Sequence, residues 1–136
     1  MTLYGKEHVE RYEATDGAEG YEWRNGTTIL LLHTTGRTSG RDYTHPLIFR
    51  EWNGAYLIVA SKGGAPEPPA WFRNLEANAD VEVQIKGDRF RARARVATPE
   101  EKPDMWSTMT ATWPAYDDYQ RKTDREIPIV VLERIT

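Results

Sequence analysis

Along this chain of 136 residues the apolar positions follow three patterns. Continuous apolar runs occupy residues 29–32, 55–60 and 127–132, the last broken by Pro128. Each is too short to span a membrane and too apolar for a surface, so each predicts a buried strand. Alternation follows at residues 81–96. Val81, Val83 and Ile85 oppose Glu82, Gln84 and Lys86, and Phe90, Ala92, Ala94 and Val96 oppose Arg91, Arg93 and Arg95. With Gly87-Asp88 as the turn, these are two antiparallel strands wet on one side. Residues 43–52 predict a further strand interrupted by Pro46, which puts it at an edge or a bulge. Asn53-Gly54 then turns the chain back into the run at 55–60.

Helical spacing is the third pattern. Residues 3–14 carry Leu3, Val9 and Tyr12 among charges, a thin apolar face that must pack on the body, lie on a partner or fray. Residues 70–77 predict a short helix behind Pro69, with Trp71, Asn74 and Leu75 on one face. Thr98-Pro99-Glu100-Glu101 is a capping box, and Pro103 delays the helix that presents Met105, Trp106 and Met109. A last short helix runs from Pro114 to Lys122. Six mostly antiparallel strands with inserted helices predict an α+β fold, a small barrel-like single domain over residues 1–136.

Composition narrows the function. A net charge of −3, from 18 basic and 21 acidic side chains, argues against a general nucleic-acid binder. The chain has no cysteine, so it has no disulfide and no thiolate chemistry, which suits a reducing compartment. With no apolar run near the roughly 20 residues of a spanning helix and no signal-peptide core, a cytoplasmic protein is expected. Five tryptophans and seven tyrosines are many for this length. Aromatic side chains with a polar tip line sites for flat ligands.

The run at 29–32 feeds a loop in which Gly36 and Gly40 frame Arg37, Thr38 and Ser39. Glycine allows positive φ and close backbone approach. Amides, hydroxyls and a guanidinium together can hold a phosphate. The spacing is neither the nucleoside-triphosphate loop nor the dinucleotide fingerprint, and a polar turn is the open alternative. Ser61-Lys62-Gly63-Gly64 ends another apolar run and is either a second anion or carbonyl-oxygen site or a turn with a solvated lysine. Trp113, Tyr116 and Tyr119 recur in steps of three, which on a helix is one face. There they either wall a pocket and give protons to a reduced substrate, or sit in the core. The row Arg89, Arg91, Arg93 and Arg95 reads as a solvated sheet face, and His8, His33 and His45 lack metal-site spacing. No serine has a nucleophile-elbow context, so covalent hydrolysis has no support. Aromatic surface plus two anion-holding loops suit a protein that binds a phosphorylated flat cofactor and lets it do the chemistry.

Several motifs carry a resemblance across nearly the whole chain. Thr34-Thr35-Gly36-Arg37-Thr38-Ser39-Gly40 resembles the Thr-Thr-Gly-Arg-Lys-Ser-Gly signature of the deazaflavin-dependent nitroreductases and quinone reductases of actinobacteria. His45-Pro46-Leu47-Ile48, Ala60-Ser61-Lys62-Gly63-Gly64-Ala65, Pro69-Ala70-Trp71-Phe72-Arg73-Asn74-Leu75, Tyr119-Gln120 and Thr123-Asp124-Arg125-Glu126-Ile127-Pro128 match in order. The resemblance implies a split β-barrel of the FMN-binding type. It implies reduced coenzyme F420 as hydride donor, and quinones, nitroaromatics or other electron-poor compounds as acceptors. By position, Arg37, Thr38 and Ser39 would hold the cofactor phosphate and acidic tail. His45, Pro46, Leu47 and Ile48 would lie along the deazaflavin, Ala60, Ser61, Lys62 and Gly63 at its polar edge, and Trp71 would close the groove. Trp113, Tyr116 and Tyr119 would wall the substrate pocket. Ser61, Tyr116 and Tyr119 would be the hydroxyls that donate to the reduced oxygen. Thr38 stands where many members have lysine, with Arg41 near enough to compensate, and Trp113 stands where tyrosine is common. An FMN-dependent reductase of the same fold, or a non-catalytic module that binds the coenzyme, is the alternative. Peripheral contact with the inner face of the membrane through the first helix is a further expectation.

Overall fold

The computed structural model describes residues 3 and 5–135. In chain order the elements are α1 (Gly5–Thr15), β1 (Ile29–Thr35), β2 (Asp42–Ile48), β3 (Arg50–Trp52), β4 (Ala55–Val59), α2 (Ala70–Ala77), β5 (Asp80–Ile85), β6 (Asp88–Val96), α3 (Lys102–Thr112), α4 (Ala115–Arg121) and β7 (Ile129–Arg134). The strands form one antiparallel sheet in the order β2-β1-β5-β6-β7-β4-β3.

That order dictates the shape. β2 and β3 are the two edges of the sheet, yet Phe49 alone separates them in the chain. A flat sheet of seven strands would hold its edges apart by about 29 Å, at roughly 4.8 Å per strand spacing. One residue reaches about 3.5 Å. The sheet must therefore curl until its edges meet, which makes it a split barrel. Phe49 is the hinge of the closure. Its N–H donates to the carbonyl of Thr28 (3.1 Å), and its carbonyl accepts from the Thr28 hydroxyl (3.2 Å). The six expected strands are thus seven, because residues 43–52 divide between two partners, β1 and β4. Alternation does not register the bend, since Phe49 stays buried on both sides of it. Pro46 sits in an edge strand, as its missing N–H requires. The Asn53-Gly54 hairpin forms with positive φ at both residues, 49° and 83°. The β5–β6 turn lies one residue earlier than expected, at Lys86-Gly87, with Lys86 at φ 55°.

The apolar runs are explained by what covers each face. Leu30, Leu32, Ile58, Ala60, Val130 and Leu132 point into the barrel, which α2 plugs with Trp71, Phe72 and Leu75. Their neighbours point outward and are covered too. Ile29 and Leu31 lie under Val9 and Tyr12 of α1, and Leu57, Val59, Ile129 and Val131 lie under Met105 and Met109 of α3. Strands covered on both faces lose alternation. β5 and β6 keep it over most of their length because most of their outer face is solvated. Gln84, expected on that wet face, is instead buried at 1% exposure, and Val96, expected on the apolar face, is exposed at the strand end. On the solvated face Arg93 pairs with Asp80 (3.3 Å), Arg89 with Asp16 (3.6 Å), and Arg95 with Glu101 and Glu133. Such exposed pairs are worth at most about 1 kcal/mol each, so this face serves solubility more than stability.

The helices begin where the sequence stops them from beginning earlier. α1 starts at Gly5, while Tyr4 of the expected helix lies outside the described residues. Of its open alternatives, α1 takes packing on the body. Tyr12 is fully buried, and its hydroxyl accepts from the N–H of Lys86 (2.7 Å) and donates to the carbonyl of Ile29 (2.9 Å). The capping box before α3 closes reciprocally. The Glu101 carboxylate accepts from the Thr98 N–H (2.8 Å), and the Thr98 hydroxyl accepts from the Glu101 N–H (3.3 Å). The helix starts late, at Lys102, with Pro103 in its first turn.

Candidate active site

Barrel closure brings β2 beside the end of β4, and a cavity of about 330 Å³ opens at that junction. Its apolar floor is Pro46, Leu47, Ile48 and Val59. Ser61, Lys62 and Gly63 form one edge, Pro69 and Trp71 of the α2 entry another. Trp113, Tyr116 and Tyr119 form the far wall. Gly5, His8, Trp23 and Ile29 complete the rim from the amino-terminal side.

The aromatic wall is built by interlocking. Tyr116 and Tyr119 meet edge to face at 6.1 Å, and Trp113 donates its indole N–H to the Tyr119 hydroxyl (3.3 Å). Trp113 is not on the helix of the tyrosines, as the step of three suggested. It caps the end of α3 and joins them from there. Trp106 of α3 donates to Asp117 (2.7 Å) and ties the two helices together. Tyr116 is 5% exposed, and burial, reinforced by Tyr119, pushes its phenol well above the ordinary value. It is therefore a neutral donor at any working pH. Among the described residues neither its hydroxyl nor that of Ser61 has a hydrogen-bond partner.

The glycine loop lies beyond the cavity lining. Arg37 donates from its N–H (3.3 Å) and its guanidinium (3.2 Å) to the side-chain oxygen of Asn74. Asn74 in turn donates to the hydroxyl of Thr34 (3.3 Å). Asn74 sits one turn from Trp71 on α2, so the loop is fixed to the helix that bounds the cavity. Asn74 shares the buried face of α2 with Trp71 and Leu75, as its spacing suggested, and there it is the anchor of this loop. Ser39 accepts from the N–H of Arg41 (3.2 Å) and meets the Tyr43 hydroxyl (3.3 Å). Gly40 uses the positive φ expected of it, at 70°. Gly36 does not. It is glycine for space, because a Cβ would stand 2.6 Å from the Ser39 hydroxyl and 2.8 Å from the Tyr43 ring. Thr38 and Arg41 are exposed.

Of the expected cofactor contacts, Pro46, Leu47, Ile48, Ser61, Lys62, Gly63 and Trp71 line the cavity. Arg37, Thr38, Ser39, Arg41 and His45 do not. Ala60 does not line the cavity either: its side chain is fully buried in the barrel core, its N–H donates to the carbonyl of Pro128 and its carbonyl accepts from Arg125. His45 stands opposite Leu32, with Nε2 buried and unpartnered among the described residues. Burial, with His33 nearby, lowers its pKa and holds it neutral. Sequence reasoning missed Trp23 and His8. Trp23 stacks on Trp113 at 5.7 Å and donates to the carbonyl of Leu3 (3.0 Å). The one hint was a tryptophan placed beside a turn with no apolar pattern to bury it.

A curled antiparallel half-barrel with an aromatic cavity at its seam defines a split-barrel protein of the FMN-binding type. The sequence model of the F420H(2)-dependent quinone reductase family matches residues 4–134, and the chain belongs to that family. It is 40% identical over 131 residues to an F420H(2)-dependent quinone reductase of Mycobacterium tuberculosis (strain ATCC 25618 / H37Rv), covering 93% of this chain and 87% of that protein. Among solved structures, one titled a domain-swapped dimer matches with a TM-score of 0.75 and 39% identity, covering 94% of this chain and 96% of that one. An F420-H2 dependent reductase, FDR-A, matches with a TM-score of 0.71 and 42% identity, covering 77% and 93%. In its described residues the chain has no helix long and apolar enough to cross a membrane.

The residues fit the cofactor this family uses. A cavity of about 330 Å³ lies near the small end of the range for ligand sites, enough for a flat ring system and not for its tail. A Cβ added at Gly63 would meet nothing within 4 Å, so that edge is open to a neighbour. Arg37, Arg41 and Lys62 have no carboxylate partner among the described residues, although the sheet face pairs Arg89, Arg93 and Arg95. Unpaired cations beside a cavity in an acidic chain suit a phosphorylated, acidic tail.

Proposed function

We propose that this cavity reduces quinones with reducing equivalents from reduced coenzyme F420. One observation carries the reading. Two hydroxyls without partners, Ser61 and Tyr116, share one apolar cavity that Lys62 also lines, and Arg37 and Arg41, in the loop beyond it, have no carboxylate partner among the described residues. When bound, the reduced deazaflavin supplies a hydride. The chain's residues do the rest. Arg37, Arg41 and Lys62, with Thr38 and Ser39, hold the anionic tail, and neutral His45, its Nε2 buried behind Pro46, supports the floor of the site without touching the ligand. Pro46, Leu47, Ile48 and Trp71 enclose the ring and exclude water from its faces. Trp113, Tyr119 and Trp23 orient a flat acceptor by stacking. Ser61 and Tyr116 donate hydrogen bonds to the acceptor oxygen as it gains charge, and solvent completes the protonation. Tyr119 is the lesser donor, because its oxygen already accepts from Trp113.

Nitroaromatic acceptors present the same electron-poor oxygen and belong to the proposal, with Trp113 in place of a hydroxyl restricting which are used. The reaction would take place in the cytoplasm. Peripheral membrane contact through α1 is the weaker reading, since Val9 and Tyr12 face the sheet and the exposed side is charged in both signs, with Lys6, Glu7, Glu10 and Arg11, and offers no apolar surface to lipid. Flotation with anionic lipid vesicles would restore it if the protein floated.

The deciding experiment mixes purified protein with reduced coenzyme F420, with or without menadione. Binding with micromolar affinity or better, about −8 kcal/mol, and menadione-dependent oxidation are expected. Binding without turnover would leave a storage or delivery module, and turnover supported by FMN instead would leave the alternative reductase.

A further inference from the structure

Arg125 does not line the cavity, yet its guanidinium is spent on the backbone of the stretch that does. Nε donates to the carbonyl of Ala65 (2.9 Å). Nη2 donates to the carbonyls of Ser61 (2.9 Å) and Ala60 (3.3 Å), and Nη1 also to Ala60 (3.3 Å). One side chain thus grips both ends of the turn that carries Ser61, Lys62 and Gly63. It forms no ion pair among the described residues.

The turn needs such a grip. Lys62, Gly63 and Gly64 have consecutive φ values of 46°, 64° and 86°, a conformation that costs a lysine. Its own backbone bonds are Gly64 N–H to Ser61 (2.9 Å) and Ala65 N–H to Lys62 (3.2 Å). Arg125 is itself anchored on α4. Its carbonyl accepts from the Gln120 amide (2.8 Å), whose oxygen accepts from the Ile127 N–H (2.9 Å). Gln120 follows Tyr119 in the chain. A continuous series of hydrogen bonds therefore runs from the helix of Tyr116 and Tyr119, through Arg125, to the turn of Ser61 and Lys62.

We propose that Arg125 is the positioning residue that sets the Ser61–Lys62 turn against the tyrosines of α4, so that the Ser61 and Tyr116 hydroxyls converge on one acceptor oxygen. The inference rests on the reading of this cavity as the quinone-reducing site. The planar fork is essential to it. Lysine offers donors from a single point and cannot bridge carbonyls at both ends of a turn.

The test uses Arg125→Lys and Arg125→Ala. In the cofactor-free protein, Arg125→Lys should speed amide hydrogen exchange at Gly64 and Ala65 by about tenfold or more. With reduced coenzyme F420 and menadione, kcat should fall roughly tenfold to hundredfold, because misplacement of about 1 Å carries such a cost. KM for the quinone should stay within about twofold, since the aromatic wall is untouched. Millimolar guanidinium ion should restore part of the kcat of Arg125→Ala. Ser61→Ala should cost less in the Arg125→Lys background than alone. Unchanged exchange and kcat in Arg125→Lys, or a full additive cost of Ser61→Ala, overturns the proposal. Should Arg125→Lys fail to fold, Gln120→Glu removes the donor to the Arg125 carbonyl. Faster exchange at Gly64 supports the proposal there, and wild-type exchange overturns it. If wild-type protein does not oxidise the coenzyme, the functional reading fails, while the exchange comparison still decides the role of Arg125.

Discussion

Tyr116→Phe deletes one hydroxyl and leaves everything the ring does in place. The ring is 5% exposed and packs with Met105 and Met109, edge to face on Tyr119 and at 6.3 Å from Trp106. Its hydroxyl has no partner among the described residues, so the folded state loses no hydrogen bond and stability should move by less than about 0.5 kcal/mol. Turnover should respond more. A preorganised donor aimed at a developing oxyanion is worth about 10²–10³ in kcat. Here Ser61 shares that oxygen and the cavity opens to water, so the expected loss is roughly tenfold to hundredfold, about 1.4–2.7 kcal/mol of transition-state stabilisation.

The assay follows oxidation of reduced coenzyme F420 with menadione across pH, with coenzyme binding measured separately. The dissociation constant should stay within about twofold, because Tyr116 belongs to the acceptor wall. Burial raises the phenol far above its ordinary value, so neither protein should show a tyrosine limb below about pH 10. A kcat within twofold of wild type would remove the hydroxyl from the mechanism. A wild-type rate that falls near pH 10, with Tyr116→Phe flat, would refute the argument from burial.

Tyr12→Phe should cost about 1–3 kcal/mol near neutrality, since it strands the buried Lys86 N–H and Ile29 carbonyl. Burial raises the Tyr12 phenol from 10.0 to about 12, so its contribution, about 3 kcal/mol, is fully present below pH 10 and lost between pH 10 and 12. Chemical denaturation of the two proteins should give stability curves that converge in that window, and parallel curves would refute the linkage. Gly64→Ala should cost about 2 kcal/mol or more and weaken coenzyme binding, because φ is 86° and its Cβ would stand 2.6 Å from the Tyr119 carbonyl oxygen, which cannot swing aside. Thermal melting and a binding titration check both effects. Trp23→Ala removes the ring stacked on Trp113, so steady-state kinetics should show KM for menadione rising about tenfold with kcat little changed.

What was legible in the sequence was what the backbone repeats. The alternation at Val81–Ile85 and Phe90–Val96 encodes one wet face, broken only at buried Gln84 and exposed Val96, and the Asn53-Gly54 and Thr98–Glu101 signals act over a few residues, so each could be read where it stands. The motif loops were legible as chemistry, because Arg37, Ser39, Ser61 and Lys62 carry their donors whatever the fold. What was hidden is the geometry that makes a site of them, and it turns on residues with no local signature. Phe49 looks like one more apolar residue in a strand, yet the one-residue link it provides between opposite sheet edges forces the barrel shut. Shutting it brings Pro46–Ile48 beside Val59 and Ser61 and so creates the cavity. Asn74 reads as a polar lapse in an apolar helix face, and Trp113 as the first of three residues on one helix. Their partners, Arg37 and Trp23, lie 37 and 90 positions earlier in the chain. Periodicity reports how each segment meets the core, but a cavity between segments belongs to their closure. The residues that lock the closure, Phe49, Asn74 and Arg125, are therefore the ones whose substitution should disable the site while every motif remains intact.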